Sequence, residues 1–486
     1  MTTLRHIMLG AGAATVLTGP AMAAAGHTPA SDARLAVLEQ QLADVQSQLA
    51  QIRRQQTQAP PPVTAAQLED ASRAGSRQYD DLKKRLDGQP RVGISNGRFT
   101  IASRDGAFSL ALRGLVQFDA GYFSQGRGPA GVDLNSGSNF RRAQFGFVGT
   151  LWRDWSYNFT YDFGGNGIEK SGYIYTASLQ YDFKPFAVRI GAFAPPAGID
   201  DATSSGDLIF LERTSVADIA RGIAGAPGRE GINIYARGAR YLVSLAVTGK
   251  KVTESYYDEQ QAVVGRAALL AVDTDQVEWL LDVDMTHVFK LADIAPGPNS
   301  PNTISLGNGP ELAIDKFKTV NTGAIDANAL TEVGFETAAQ SGRFYGQGGY
   351  FHFSIDRRTA LPDPDFSGWY ALAAISLTGE PHRYNADNAV FAGLKPDHPL
   401  GKDGWGAWEV AARYSNIDLS YMPFLSTAAG GVPGGDQTVW SLGLNWYPAA
   451  GVRFMLDYGN LRVSHVEAHG NDISANTFGL RSQVSL

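Results

Sequence analysis

From residue 108 to residue 486 apolar and polar residues alternate with a period of two, and gaps rich in Gly, Asn and Asp break the runs. The clearest run is Trp155-Ser156-Tyr157-Asn158-Phe159-Thr160-Tyr161-Asp162-Phe163. Successive side chains on a strand point to opposite faces. Trp155, Tyr157, Phe159, Tyr161 and Phe163 therefore share one face, and Ser156, Asn158, Thr160 and Asp162 share the other. A soluble sheet would bury such an apolar face against a second sheet. Here the pattern recurs through most of the chain with Tyr, Trp and Phe on the apolar side, which is the pattern of an outer-membrane barrel with lipid outside and water inside.

The alternation predicts strands near 108–122, 141–150, 155–163, 173–182, 186–193, 230–237, 240–248 and 262–272. It predicts further strands near 277–289, 329–339, 342–354, 368–378, 406–417, 438–447, 451–462 and 475–485. Weaker alternation marks 98–104 and 312–318. A lipid-crossing strand needs ~9–11 residues, and bacterial barrels use even strand numbers. The expected fold is thus an all-β antiparallel transmembrane β-barrel over 98–486, with sixteen strands, or eighteen as the next count. The gap at 195–229 is too long for a tight turn and carries apolar residues of its own, as functional loops do.

Ahead of the barrel the period changes. Leu35, Leu38, Leu42, Val45, Leu49 and Ile52 form a heptad seam with polar residues between them. So short a helix is marginal alone in water. Residues 24–58 are therefore expected to form a short N-terminal α-helical coiled coil tethered to something that already oligomerises, a single amphipathic helix being the plain alternative. Pro60-Pro61-Pro62 breaks the helix and stiffens a linker, and a second polar helical stretch follows at about 65–86 within a segment spanning 59–97. At the start, Arg5, the apolar run 7–17 and Ala21-Met22-Ala23 have the order of an export signal over 1–23. The run falls short of the ~20 residues that span a bilayer, and no later segment offers ~18 consecutive apolar residues.

Composition narrows the function classes. A formal net charge of −7 argues against a nucleic-acid partner. The chain has 55 Gly, 51 aromatic residues and no Cys, which suits an exported protein that forms no structural disulfide. An outer-membrane enzyme would bring catalytic groups to the barrel rim, but the sequence has no His-Glu-x-x-His helix, and its one Gly-x-Ser-x-Gly match, Gly93-Ile94-Ser95-Asn96-Gly97, precedes the regular strand run and lacks the strand-then-helix setting of a nucleophile turn. His287 alternates with Met285 and Phe289, so it is expected on the lipid side. Asp363-Pro364-Asp365 is a solvated turn before it is a calcium loop, which needs six or more shaped oxygens. No cofactor or metal is implied.

Phe140-Arg141-Arg142-Ala143-Gln144-Phe145-Gly146, then Gly149-Thr150-Leu151 and Asp154-Trp155-Ser156-Tyr157, resemble the phosphate-selective porin O/P family. So do Ser204-Ser205-Gly206-Asp207-Leu208-Ile209-Phe210-Leu211-Glu212-Arg213 and Pro227-Gly228-Arg229-Glu230-Gly231. Ile190-Gly191-Ala192-Phe193-Ala194-Pro195-Pro196 lies between them, where that family ends a strand before its third loop. The resemblance is motif-specific over 108–237 and compositional beyond. It implies a homotrimeric, 16-stranded porin in the outer membrane of a Gram-negative bacterium, in contact with its lipid. It also implies a third loop folded into the lumen, arginines at the constriction, and the coiled coil in the periplasm.

Position by position, the resemblance places Arg113, Arg141, Arg142 and Arg213 at the constriction, with Arg229 at the loop's exit. Alternation independently puts Arg113, Gln117 and Asp119 in the lumen. It lets only Arg142 of the Arg141–Arg142 pair face in, with Gln144, unless the strand starts or bulges there. A guanidinium stays charged and offers a planar fork to phosphate oxygens, and several modest sites let an ion hop rather than stick. Against a strong phosphate ladder, alternation also sends Asp162, Asp182, Glu278, Asp282, Asp284, Glu332, Glu336 and Glu409 inward, and only nine lysines lie beyond residue 97. The expected function is passive diffusion of small hydrophilic solutes with anions, including phosphate, weakly favoured. The alternatives are a general-diffusion or cation-preferring pore, and a barrel anchor whose coiled coil tethers the envelope.

Overall fold

The computed structural model describes residues 29–56, 64–95, 97–164, 172–252, 254–255, 257–293, 295–297, 300–401, 403–466 and 472–486. The export-signal segment and Pro60-Pro61-Pro62 lie outside them. The chain divides into two units, 1–86 and 87–486.

The first unit contains α1 (Pro29–Gln56) and α2 (Ala65–Asp87). Within α1 the seam positions Leu38, Leu42, Val45, Leu49 and Ile52 are all at least half exposed. At the start of α2 the Thr64 amide donates to Gln67 Oε1 at 3.1 Å, one half of a capping box. Glu69–Arg73 and Asp81–Arg85 add ion pairs four residues apart on its surface. Among the described residues no helix is long and apolar enough to cross a membrane.

The second unit opens with a hairpin, β1 (Arg91–Ser95) and β2 (Arg98–Ala102). A barrel run follows: β3 (Ser109–Arg127), β4 (Gly137–Leu151), β5 (Trp155–Asp162), β6 (Tyr173–Phe183), β7 (Phe186–Phe193), β8 (Arg229–Arg237), β9 (Tyr241–Lys251), β10 (Gln261–Asp273) and β11 (Glu278–Lys290). Short β12 (Thr303–Ile304), β13 (Gly307–Asn308) and β14 (Val320–Asn321) interrupt it. It resumes with β15 (Ile325–Ser341), β16 (Phe344–Arg357) and β17 (Asp365–Ser376), then the small hairpin β18 (Arg383–Asn385) and β19 (Val390–Ala392). It ends with β20 (Ala407–Tyr421), β21 (Val432–Ala449), β22 (Val452–Ser464) and β23 (Ile473–Ser485).

Leaving out β1, β2, β12–β14, β18 and β19, sixteen strands pair antiparallel in chain order, and β23 closes on β3 with Gln483 opposite Gln117. Alternation is what the wall obeys. On β9, Tyr241, Val243, Leu245 and Val247 are exposed on the outside, whereas Leu242, Ser244, Ala246 and Thr248 are buried inside. His287 lies on the outward side as expected, half-buried, with Nδ1 2.9 Å from Thr331 Oγ1.

Both weak strand candidates fail as wall strands. Residues 98–102 do form β2, but β2 meets β3 only through Thr100, Ile101 and Ala102 and belongs to the appended hairpin. Residues 312–318 are not strand. Leu312 and Ile314 instead fill the space over Gly121, and Leu312 that over Gly479, where the wall has no side chain. Their alternation serves packing from within.

Three segments fold inward. Between β7 and β8 lie α3 (Gly198–Ala202) and α4 (Ser215–Ala224), the latter capped by Thr214. The spacing of Val216, Ile219, Ala220 and Ile223 makes an apolar face, which joins one buried cluster with Phe351 and Phe353 of the wall. Segment 291–324 enters from the same end and places Glu311 against Arg413 of β20 at 2.8 Å. Segment 377–406 enters from the opposite, short-turn end. Its Val390 and Phe391 pack with Ile199 and Phe210 of the first loop, so the two ends meet inside the barrel.

Candidate permeation site

The site begins with one extra residue in β4. Gln117 pairs with Arg142 and Phe118 with Phe140, so Arg141 has no partner opposite it. This bulge turns Arg141 and Arg142 both inward, at 8% and 5% exposure, while Phe140 and Phe145 stay outside. Arg141 Nε and Nη2 grip the Glu212 carboxylate at 2.6 and 2.8 Å. Arg481 donates twice to Asp119 at 2.7 Å and once to Glu212 at 3.0 Å. Arg142 donates to Gln117 Oε1 at 2.8 Å, and Gln117 donates to the Ser205 carbonyl at 2.9 Å. Burial pushes the Glu212 carboxyl up, but the charge and hydrogen bonds of Arg141, helped by Arg481 and Arg142, hold it well below the usual carboxylate range.

The loop's path is fixed mainly through its backbone. Arg453 donates to the Leu208 carbonyl at 2.5 Å, Asn445 to that of Ile209 at 2.9 Å, Arg481 to that of Leu211 at 2.6 Å and Arg413 to that of Glu212 at 2.7 Å. The Leu211 amide in turn donates to Asp457 at 2.7 Å. Hydrogen bonds to charged groups stabilise by about 1.5–3 kcal/mol each, so this set holds the loop firmly. Arg413 also stacks on Phe210 at 4.3 Å. Arg213 turns back onto its own loop, donating to the carbonyls of Asp200, Asp201 and Thr203 and pairing with the Asp200 carboxylate at 3.0 Å. Arg229, at the loop's exit, is buried and donates to the Gly249 carbonyl at 3.0 Å.

What remains open is a cavity of about 560 Å³ between the loop and the wall from β3 to β7. Arg113, Arg189, Arg213 and Arg221 border it, with Asp201 as the single carboxylate. Arg221 pairs with Asp201 at 2.5 Å, and Arg189 is held by Gln180 and the Tyr235 hydroxyl. Arg113 makes no hydrogen bond or ion pair among the described residues. The ring of Tyr175 also borders the cavity, within electrostatic reach of Arg142, Arg221, Arg113 and Arg213.

Of the residues expected at the site, Arg113 and Arg213 therefore border the open space. Arg141, Arg142, Gln117 and Asp119 face inward as a group but lie beneath the loop, and Gln117 and Asp119 have no exposure at all. The sequence reading missed Arg189, Arg221, Arg266, Arg413, Arg453 and Arg481. Strand alternation held the signal for most of them: Arg481 sits between Leu480 and Ser482 of the outward face, in the same phase as inward Gln483.

Residues 110–486 match the family described as phosphate-selective porin O and P. Porin O of Pseudomonas aeruginosa is 26% identical over 416 residues, covering 82% of this chain and 93% of that protein. An uncharacterized protein of Caulobacter vibrioides is 24% identical over 385 residues, covering 77% and 74%. Among solved structures, an anion-selective porin from Comamonas acidovorans overlays 77% of this chain and 99% of its own, at 13% identity and a TM-score of 0.47. OmpT, an outer-membrane protein of Vibrio cholerae, overlays 78% and 98%, at 11% identity and a TM-score of 0.48.

Proposed function

The chain belongs to the phosphate-selective porin O and P family and is an outer-membrane porin; we propose that it passes small hydrophilic solutes by passive diffusion with inorganic anions favoured. The observation that carries this reading is the charge around the open cavity, four guanidiniums against one carboxylate. Two of those arginines are neutralised by Asp200 and Asp201, which leaves Arg113 and Arg189 as net positive charge. Low-dielectric walls strengthen their pull on an anion, and the modest strength of each site lets the ion leave. Arg141, Arg142, Arg229, Gln117 and Asp119 act in this reading as the frame that sets the loop's position. Arg113 and Arg213 meet the solute.

The same reading makes the porin a homotrimer whose N-terminal helices associate in the periplasm. The exposed seam Leu38–Leu42–Val45–Leu49–Ile52 supports it, because a heptad stripe is stable only against a partner.

The experiment is the reversal potential of single channels across a salt gradient in planar bilayers, with phosphate added as a competing ion. Anion selectivity with chloride current blocked by phosphate supports the proposal in full. Cation preference replaces it with a general-diffusion pore. Sedimentation of the full chain in detergent, against a chain lacking 24–58, tests the trimer and the helix's part in it.

A further inference from the structure

Opposite the arginines, on the wall formed by β11 and β15, the structure gathers Asp282, Asp284, Glu332 and Glu336, each no more than 6% exposed. Among the described residues, Arg266 is the one guanidinium that pairs with any of the four. Arg266 bonds Asp282 Oδ2 at 2.7 Å and spends its remaining donors on the Asn388 and Ala389 carbonyls. Glu336 accepts from the Ile199 and Asp200 amides and from the Tyr370 hydroxyl. Asp282 Oδ1, Asp284 Oδ1 and both oxygens of Glu332 are buried with no hydrogen-bond partner. Buried carboxylates left in this state are strongly unfavourable and are relieved by a proton or by a counter-charge.

Three oxygens, one each from Asp282, Asp284 and Glu336, lie within 4.8 Å of one another. Calcium binds carboxylate oxygens at about 2.4 Å, so ligands around one ion stand at most roughly 4.8 Å apart. The backbone makes room for this arrangement. A Cβ at Gly198 or Gly349 would strike the Glu336 side chain, and one at Gly334 would strike Asp284.

We propose that Asp282, Asp284 and Glu336, with Glu332 beside them, bind a hard divalent cation of the calcium type inside the barrel wall. The ion joins β11 to β15, and through Glu336 it fixes the Ile199–Asp200 turn that starts the inward loop. It supplies the counter-charge that Arg266 alone does not, and it holds the constriction's first limb as the arginines hold its last. The site is separate from the cavity through which solute passes, so it stands whichever ion the pore prefers.

The test uses the full chain refolded in detergent, free of lipopolysaccharide and stripped with EDTA. Terbium is the luminescent probe and calcium the competitor. The expected result is tyrosine-sensitised terbium emission from Tyr370 beside the site, saturating at one ion per chain and displaced by calcium. In D284N, which removes one ligand charge, terbium affinity falls at least about tenfold, and in E332Q, which removes a neighbouring charge, it falls by less. Calcium is also expected to raise the thermal unfolding midpoint of the wild-type chain. No saturable emission from the wild type, or equal terbium affinity in wild type and D284N, overturns the proposal. So does a midpoint indifferent to calcium, which would mean that protons neutralise the cluster. The wild-type measurements stand by themselves if a variant fails to fold.

Discussion

Arg481 and Asp119 face each other across the seam where the last barrel strand meets the first, joined by two hydrogen bonds of 2.7 Å, with neither side chain exposed. Closure of the barrel and anchoring of the loop thus converge on one guanidinium, since Arg481 also reaches the Leu211 carbonyl and Glu212. Asp119→Ala leaves that charge buried and short of a partner, and is expected to destabilise the barrel by about 3–5 kcal/mol. Replacing both residues with apolar ones, D119L with R481M, is expected to recover most of the loss. The temperature at which the folded band disappears on a denaturing gel measures both.

Arg113 is the cavity guanidinium that makes neither a hydrogen bond nor an ion pair among the described residues. A unit charge acting at roughly 8 Å through an effective dielectric of about 20, screened by salt, contributes about 1 kcal/mol. R113Q is therefore expected to lower the anion-to-cation permeability ratio about fivefold, with barrel stability unchanged. R113E is expected to shift it further in the same direction. Reversal potentials across a salt gradient check both.

Glu212 makes the loop acid-sensitive. Its carboxyl is held below the ordinary glutamate value of ~4.3, so the folded chain stays ionised where the unfolded chain has taken up a proton. The resulting stabilisation is fully present above about pH 5. It is lost as pH falls through the depressed folded value. Asp200 has the opposite sign, because burial raises its carboxyl despite Arg213. The difference between wild type and E212Q isolates the first effect. Wild-type channels are expected to stay quiet down to about pH 4, because the folded carboxyl is still ionised there, whereas E212Q channels are noisy at neutral pH and change little on acidification.

Deletions around the β4 bulge separate register from charge. Removing Arg141 leaves Arg142 opposite Gln117 and Phe140 opposite Phe118, so both faces keep their phase. That chain is expected to assemble with normal heat-modifiability but with a noisier channel, having lost the clamp on Glu212. Removing Gln144 from the regular ladder turns one flank of β4 inside out and is expected to prevent assembly.

The wall was legible in the sequence because lipid enforces a strict period of two, and sixteen segments of sufficient length followed from it. The inward loop at 195–229 was legible through its length and its apolar content. Segments 291–324 and 377–406 were not. Their placement depends on contacts with residues distant in the chain, such as Glu311 with Arg413 and Phe391 with Phe210's cluster, and no local pattern encodes those. The inward turn of Arg141 had the same character, since a bulge is set by the partner strand rather than by β4 alone.

The grip of Arg413, Arg453 and Arg481 on the loop carbonyls of Leu208, Ile209, Leu211 and Glu212 has a consequence for variation. Every residue type offers the same carbonyl, so substitutions at positions such as Ser204 and Ser205 leave the anchoring intact. The lining of the opening is thereby uncoupled from its shape. Solute preference can drift by single side-chain exchanges in the loop, with no compensating change in the sixteen strands that hold it.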